Sequence, residues 1–278
     1  LAELLVGAAT GSSSYTSGFW WVPGGAIADG ELDARGHFFS EEDPMERVGE
    51  EVRVVPDTNG DGLDDVLMSA THSDAGYPDG GTVWLFLSPL PEGGSIGDGD
   101  EYVDGETSYG LLGQSLAGGD IDGDGYGDVL LGAYDDSVYT DYGGVAYVQK
   151  GPVDWTFGLG GSDVVIAGDD VSGRLANGLA VRDMDSDGDG DLMVSYTAAA
   201  SYAGGVLLFD GPDLSGVYAP GDADRTWTGT SPGDGFLLEL QPTGDLTGDG
   251  LPDAAFGLPS WSAGANSGAI AVLPASGI

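Results

Sequence analysis

The chain has no cysteine, few basic residues and no long apolar run. The absence of cysteine from its 278 residues excludes a disulfide framework, thiolate chemistry and a zinc–thiolate site. Seven basic residues against 47 acidic ones give a formal net charge of −40, which would repel nucleic acid and anionic lipid headgroups. No apolar run reaches the roughly 18 residues of a membrane-spanning helix. We therefore expect no nucleic-acid partner and no membrane insertion.

Catalytic signals are also scarce. The two histidines, His37 and His72, stand in no metal-binding or triad-like spacing. Acid pairs such as Asp135–Asp136 are expected to be solvated charge. The sequence therefore predicts no catalytic residue, no organic cofactor and no enzyme activity.

What the chain does contain is glycine and a repeated pattern. It has 52 glycines, and 41% of its residues are hydrophobic, which is enough for a packed core. An acidic nine-residue segment begins at residues 57, 120, 183 and 245, and a glycine pair before a short apolar run keeps almost the same period. The segments are DTNGDGLDD (57–65), DIDGDGYGD (120–128), DMDSDGDGD (183–191) and DLTGDGLPD (245–253). These elements together indicate a true repeat of about 62 residues.

Each repeat has the pattern of four short strands. In the second repeat we predict strand A at Val52–Val55, strand B at Asp65–Ser69, strand C at Thr82–Leu87 and a weaker strand D near Tyr102–Val103. Strand B is apolar at successive positions, so both of its faces are expected to be buried. Four-stranded antiparallel units stacked face to face describe an all-β fold, the β-propeller.

We predict one β-propeller region over residues 1–278, with about five blades. The approximate blade spans are 1–45, 46–107, 108–170, 171–232 and 233–278. The first span lacks a strand A and the last lacks a strand D. This favours a longer ring over a five-bladed ring that is sealed by its own termini.

The acidic segments have the composition of metal-binding loops. Oxygen-bearing side chains stand at positions 1, 3, 5 and 9, glycine stands at position 6, and the carbonyl of position 7 would complete the shell. Hard oxygen ligands on a short loop suit Ca²⁺, so we predict up to four structural Ca²⁺ ions. The predicted ligands are Asp57, Asn59, Asp61, Leu63 and Asp65; Asp120, Asp122, Asp124, Tyr126 and Asp128; Asp183, Asp185, Asp187, Asp189 and Asp191; and Asp245, Thr247, Asp249, Leu251 and Asp253.

Two alternatives compete with this interpretation. An EF-hand needs a glutamate at position 12, where this chain has apolar residues of strand B: Met68, Leu131, Val194 and Phe256. The second alternative, a hairpin turn without an ion, stays open, most of all for the loops that contain Asn59 and Thr247.

The order of these elements resembles FG-GAP repeats, which are the blades of the integrin α-subunit propeller and of many bacterial surface proteins. The resemblance rests on the acidic loop, on Gly132–Ala133 after it, and on the glycine pair before strand C. The Phe-Gly part of the FG-GAP motif is only approximated in this chain, as at Leu112–Gly113 and Gly235–Phe236. The resemblance implies Ca²⁺ in the A–B hairpins, ligand binding on the opposite rim through the B–C and D–A loops, and a ring that usually has seven blades.

Aromatic residues recur in the predicted B–C loops. They are Tyr15, Tyr77, Tyr139, Tyr142, Tyr202 and Trp261. They are expected either to bind a protein or carbohydrate ligand or to cap the strands.

The function expected from these features is an extracellular or cell-surface binding module that is stabilised by calcium and acts in adhesion. Two alternatives remain. One is the propeller part of a secreted polysaccharide- or lipid-degrading enzyme. The other is a structural subunit of a surface assembly that contacts other subunits through its open blade edges.

Overall fold

A computed structural model of the chain describes residues 4–8, 17–23, 36–41, 46–170, 172–197, 204–229, 237–242, 244–258 and 269–273. These residues form β-strands, turns and short 3-10 helices, and they include no α-helix. None of the helices in these ranges is long and apolar enough to cross a membrane.

The strands form five sheets that follow one another along the chain. The first sheet consists of β1 (Leu4–Ala8), β2 (Ser17–Val22), β3 (His37–Glu41) and β7 (Gly94–Ser95). The second consists of β4 (Val48–Val55), β5 (Asp65–Ala70), β6 (Thr82–Phe86) and β8 (Glu101–Asp104).

The third sheet has five strands: β9 (Leu112–Gly119), β10 (Asp128–Ala133), β11 (Val145–Gln149), β12 (Val164–Ala167) and β16 (Gly216–Tyr218). The fourth consists of β13 (Leu175–Arg182), β14 (Asp191–Tyr196), β15 (Gly205–Phe209) and β17 (Arg225–Thr228). The fifth consists of β18 (Leu237–Pro242), β19 (Ala254–Leu258) and β20 (Ala269–Leu273).

Consecutive strands within each repeat pair in an antiparallel manner, as a propeller blade requires. The prediction for strand B is confirmed in β10, where every residue is buried. Val129 and Leu131 belong to the core between the second and third sheets, while Leu130 belongs to the core between the third and fourth. Side chains that alternate along this one strand therefore fill the interfaces with both neighbouring sheets. The prediction of an all-β propeller is confirmed.

Among the residues that the structure describes, three apolar clusters join the first four sheets. The first joins Phe19 and Phe39 of the first sheet to Met68 and Phe86 of the second. The rings of Phe19 and Phe39 stack at 4.7 Å, and the ring of Phe86 meets that of Phe19 edge-on at 5.5 Å. The second and third clusters fill the next two inter-sheet spaces in the same way. The hydrophobic core is thus divided between blade interfaces, and the blade boundaries and ring closure stay predictions.

Strand A of the third blade contains a bulge at the degraded FG position. The pairing of β9 with β10 shifts its register beside Ala133, whose partner is Leu112. Gly113 has a φ of +89°, and a Cβ atom added there would lie 2.4 Å from the Cβ of Ser69 in the second sheet. A glycine is needed here both for the left-handed backbone and for the close approach of the two blades.

Within the described residues, two short parallel strands extend blades beyond the strands that were predicted for them. β7 and β16 both lie in the loop between strands C and D of one blade, and each pairs with strand D of the preceding blade. Neither strand was predicted from the sequence, because they are only two and three residues long.

Candidate functional site

The first carboxylate of each acidic loop organises the loop backbone. Asp57 accepts hydrogen bonds from the amides of Gly60 (2.7 Å) and Gly62 (2.6 Å). Asp120, Asp183 and Asp245 accept amide hydrogen bonds in the same way within their own loops. The chain therefore wraps around the position 1 carboxylate in all four loops.

The ninth residue of each loop is a buried aspartate. Asp65, Asp128, Asp191 and Asp253 are at most 2% exposed. Each accepts a hydrogen bond from the amide of position 2: Thr58 (2.9 Å), Ile121 (2.6 Å), Met184 (2.7 Å) and Leu246 (2.6 Å). This bond closes the loop over the start of strand B.

The third blade brings three of its predicted ligands together. Carboxylate oxygens of Asp120, Asp122 and Asp128 lie within 4.8 Å of one another. Burial, together with the nearby Asp122 and Asp120 carboxylates, raises the pKa of Asp128 to about 6. The Oδ1 atom of Asp122 is buried and has no hydrogen-bond partner. A divalent cation would satisfy this oxygen and offset the repulsion between the three carboxylates.

The fourth blade has the same arrangement and one carboxylate more. Asp183, Asp185 and Asp191 form one carboxylate cluster. Asp210, at the end of strand C, forms two further clusters with other aspartates of the same loop. Burial raises the pKa of Asp191 to about 7, with the neighbouring Asp210 carboxylate contributing. Asp210 was not among the predicted ligands because it lies outside the nine-residue segment, immediately after β15.

The residue that corresponds to Asp210 in the third blade is Lys150, the only lysine in the chain. Its Nζ atom lies 3.2 Å from Oδ2 of Asp122. The two blades therefore present opposite charges to equivalent acidic loops.

The other predicted ligands hold the loops by local hydrogen bonds. Carboxylates at position 5 accept from the amide at position 7 in each loop, at 2.8–3.2 Å; the pairs are Asp61 with Leu63, Asp124 with Tyr126, Asp187 with Asp189 and Asp249 with Leu251. At position 3, Asn59 accepts from the Asp61 amide, and Thr247 donates its hydroxyl to Asp253 at 3.3 Å. Coordination by the position 7 carbonyls stays a prediction.

Residues 48–86 match the FG-GAP repeat family. The match covers β4, the acidic loop, β5 and β6, which are strands A, B and C of one blade. The chain is 28% identical over 235 residues to integrin alpha pat-2 of Caenorhabditis briggsae, and 28% identical over 230 residues to integrin alpha pat-2 of Caenorhabditis elegans. Each alignment covers 75% of this chain but only 17% of the relative.

The chain carries an FG-GAP, integrin α-like domain. This agrees with the resemblance inferred from the acidic loops and glycine pairs. The domain spans about a sixth of the length of the relatives it matches.

At the rim opposite the acidic loops, the FG-GAP domain joins loops of adjacent blades. The amide of Tyr109, in the D–A loop, donates to the carbonyl of Pro78 in the preceding B–C loop (2.8 Å). The same contact recurs one repeat later, from the amide of Ser172 to the carbonyl of Asp141 (2.9 Å). The B–C and D–A loops therefore form one continuous rim at these two junctions.

Tyrosines are exposed on this rim. Tyr77, Tyr139 and Tyr142 are 48–50% exposed, and Tyr109, which the sequence analysis missed, is 57% exposed. Its position in the sequence could have identified Tyr109, because it lies in the D–A loop one repeat of 63 residues before the equivalent Ser172. Tyr15, Tyr202 and Trp261 lie outside the described residues.

The expectation that Asp135 and Asp136 are solvated is wrong. Asp136 is 1% exposed and accepts a hydrogen bond from the amide of Val138 (2.7 Å), and burial raises its pKa. Asp135 lies 3.0 Å from Nε of Arg174. Arg174 also donates to the hydroxyl of Tyr134 (2.9 Å), so this acid pair belongs to a packed network below the rim.

The histidines are engaged in local contacts. The ring of His37 stacks on Trp21 at 5.0 Å, and Nδ1 of His72 lies 2.9 Å from the hydroxyl of Thr71.

Proposed function

We propose that this chain is an extracellular adhesion module, stabilised by Ca²⁺, which binds a protein or carbohydrate ligand at the rim opposite the acidic loops. The observation that carries the proposal is the continuous rim of B–C and D–A loops, with Tyr77, Tyr109, Tyr139 and Tyr142 exposed on it. Exposed tyrosines on hydrogen-bonded loops offer contact area at a low cost in conformational entropy.

Calcium serves this function as a structural ion. Asp120, Asp122 and Asp128 would hold it in the third blade, and Asp183, Asp185 and Asp191 in the fourth, because each set already brings its carboxylates within 4.8 Å. The bound ion supplies positive charge that neutralises the loop. The acidic loops stand at one end of the strands and the rim at the other, so the ion supports the blades without touching the ligand.

A pocket beside the rim supports a polar ligand. It has a volume of about 240 Å³ between the third and fourth sheets, and its lining includes Asp169, Asp170 and Tyr196. Two carboxylates and a phenol next to a hydrophobic wall formed by Leu175 and Leu207 suit the hydroxyl groups and apolar faces of a sugar or a peptide side chain.

The extracellular location is proposed on two grounds. One is the similarity to integrin alpha pat-2. The other is the strongly acidic composition with short oxygen-ligand loops, which suits the calcium concentrations of about 10⁻⁴–10⁻³ M at which extracellular modules bind the ion.

The test is adhesion of beads coated with the chain to surfaces of fibronectin, gelatin or a neutral polysaccharide. Replacing Tyr77, Tyr109 and Tyr139 by serine should lower adhesion by roughly thirtyfold or more, because a single hot-spot aromatic is worth about 2 kcal/mol or more. The melting temperature should hardly change, since all three side chains are about half exposed.

The control is Phe157→Ser, which removes an aromatic that is 82% exposed and lies outside the rim loops. It should leave adhesion unchanged. Adhesion that is the same for the wild type and the triple variant, or no adhesion to any of the three surfaces, contradicts the rim proposal.

A further inference from the structure

The outer strand D of a blade is covered by the next blade at two of the described junctions. At the first junction β7 pairs in parallel with β3, and at the third β16 pairs in parallel with β12. The amide of Gly216 also donates to the carbonyl of Asp163 just before β12 (2.8 Å). In both cases the covering strand comes from the C–D loop of the following blade and protects a sheet edge.

At the second junction, between the second and third blades, the outer edge of β8 is left open. In the part of the chain that the structure describes, β8 pairs only with β6. The amide of Gly105 donates to the carbonyl of Gly81, just before β6 (2.9 Å). Because backbone groups alternate in direction along a strand, every second residue counted back from Gly105 directs its amide and carbonyl towards β6. The backbone groups of Tyr102 and Asp104 therefore point to the outer edge, where a further strand would pair.

The sequence of the covering loop explains the difference. β7 and β16 begin at or just after a glycine with positive φ, namely Gly93 (+87°) and Gly216 (+85°). The corresponding residue of the third blade is the β-branched Thr156, which disfavours that conformation. The loop instead turns at Gly158, which has a φ of 60° and donates its amide to the carbonyl of Trp155 (2.9 Å). In this described stretch of the chain, residues 150–163, no covering strand forms on β8.

The result is an acidic groove of about 400 Å³ along β8. Glu101, Glu106 and Tyr102 line it together with Trp155 and Leu159, which are anchored in the core between the second and third sheets. Tyr102 is 60% exposed. The groove thus combines an open sheet edge, negative charge and an apolar floor.

We propose that an extended, basic segment of a partner protein adds to β8 as a parallel strand. The segment occupies the same position on β8 that β7 occupies on β3 and β16 occupies on β12. The main-chain groups of Tyr102 and Asp104 pair with the segment, and its lysine or arginine side chains lie beside Glu101 and Glu106. Its apolar side chains contact Trp155 and Leu159, which belong to the same core cluster as Val103 of β8. The site runs along β8 and meets the rim only at Glu106, which lies in the D–A loop, and strand addition to β8 does not depend on what the rim binds.

The probe is a fluorescent eight-residue peptide of alternating lysine and valine, and the readout is fluorescence anisotropy with the calcium-loaded chain. The peptide should bind. The same peptide with alternate backbone amides methylated should bind at least tenfold more weakly, because it cannot pair with β8 while its charge is unchanged. Equal binding of the two peptides would mean that only the net charge attracts them, and it would overturn the proposal.

Two variants of the chain locate the site. Glu101→Lys combined with Glu106→Lys should weaken binding at least tenfold. The control, Asp141→Lys combined with Asp213→Lys, makes the same change in net charge at exposed positions outside the groove and should have a much smaller effect. Equal losses in the two double variants would exclude β8 as the site.

A third variant closes the groove from within. Replacing residues 153–158 by the equivalent residues 90–95 supplies the glycines that allow β7 to form, so the chain should cover its own edge. This loop exchange should abolish peptide binding and keep rim adhesion. If the exchanged chain folds, as shown by an unchanged circular dichroism spectrum, and still binds the peptide, the proposal fails; if it does not fold, the two charge variants decide.

Discussion

At the scale of single residues, the position immediately after strand C sets the charge presented to the acidic loops of the third and fourth blades. It is Lys150 in the third blade and Asp210 in the fourth. Lys150 places its ammonium group where it neutralises Asp122 in the absence of an ion, whereas Asp210 adds to the repulsion that a cation would relieve. The two loops should therefore differ in calcium affinity although their segments are both rich in aspartate.

The first prediction follows from this difference. Replacing Lys150 by methionine should raise the calcium affinity of one site by up to about fivefold, since a pair near the surface is worth up to about 1 kcal/mol. Replacing Asp210 by asparagine should lower the affinity of another site by a similar factor. Calorimetric calcium titration measures both, with Lys150→Arg as the control that keeps the charge. A lower affinity for Lys150→Met and a higher affinity for Asp210→Asn, or no effect from either change, would show that these side chains do not face the ions.

At the scale of the elements, the bulge in strand A fixes how closely successive blades approach. Replacing Gly113 by alanine should lower the free energy of unfolding by at least about 2 kcal/mol. A left-handed backbone costs an alanine roughly 1–2 kcal/mol, and the added methyl group would lie 2.4 Å from the Cβ of Ser69. Denaturant unfolding measures the loss.

The matched control is Gly216→Ala. Gly216 also has a positive φ of +85°, but a Cβ atom there would meet no atom within 4 Å. It should therefore show only the backbone cost. If the two alanine variants lose the same stability, the close contact between β9 and β5 is not what requires glycine at position 113.

Patterns that repeat within the chain were predictable from the sequence. Strand B and the acidic loops were predicted because each blade places the same residue types at the same offsets, and their stabilising bonds are local, as between Asp128 and Ile121. Features that depend on a partner far along the chain were not predictable. The pairing of β16 with β12, the approach of Asp210 to the fourth loop and the burial of Asp136 all arise from packing between segments that no local pattern connects.

At the scale of the whole molecule, the acidic loops are linked to one another as well as to their own blades. The amide of Gly127, in the acidic loop of the third blade, donates to the carbonyl of Asp57 in the acidic loop of the second blade (2.6 Å). The loops also concentrate much of the negative charge of a chain whose formal net charge is −40. Loss of calcium should therefore destabilise neighbouring blades together, because repulsion in one loop is transmitted through the packed interfaces between the sheets.

We propose that bound calcium stabilises this FG-GAP propeller, and its melting temperature with saturating Ca²⁺ and with excess chelator tests this. One ion at a hundredfold its dissociation constant contributes about 2.7 kcal/mol. For a chain of this size, each kcal/mol shifts the midpoint by about 2–4 °C. We predict that the chelator lowers the melting temperature by about 5 °C or more, in one cooperative transition. Superimposable melting curves in calcium and in chelator would show that the propeller does not depend on bound calcium.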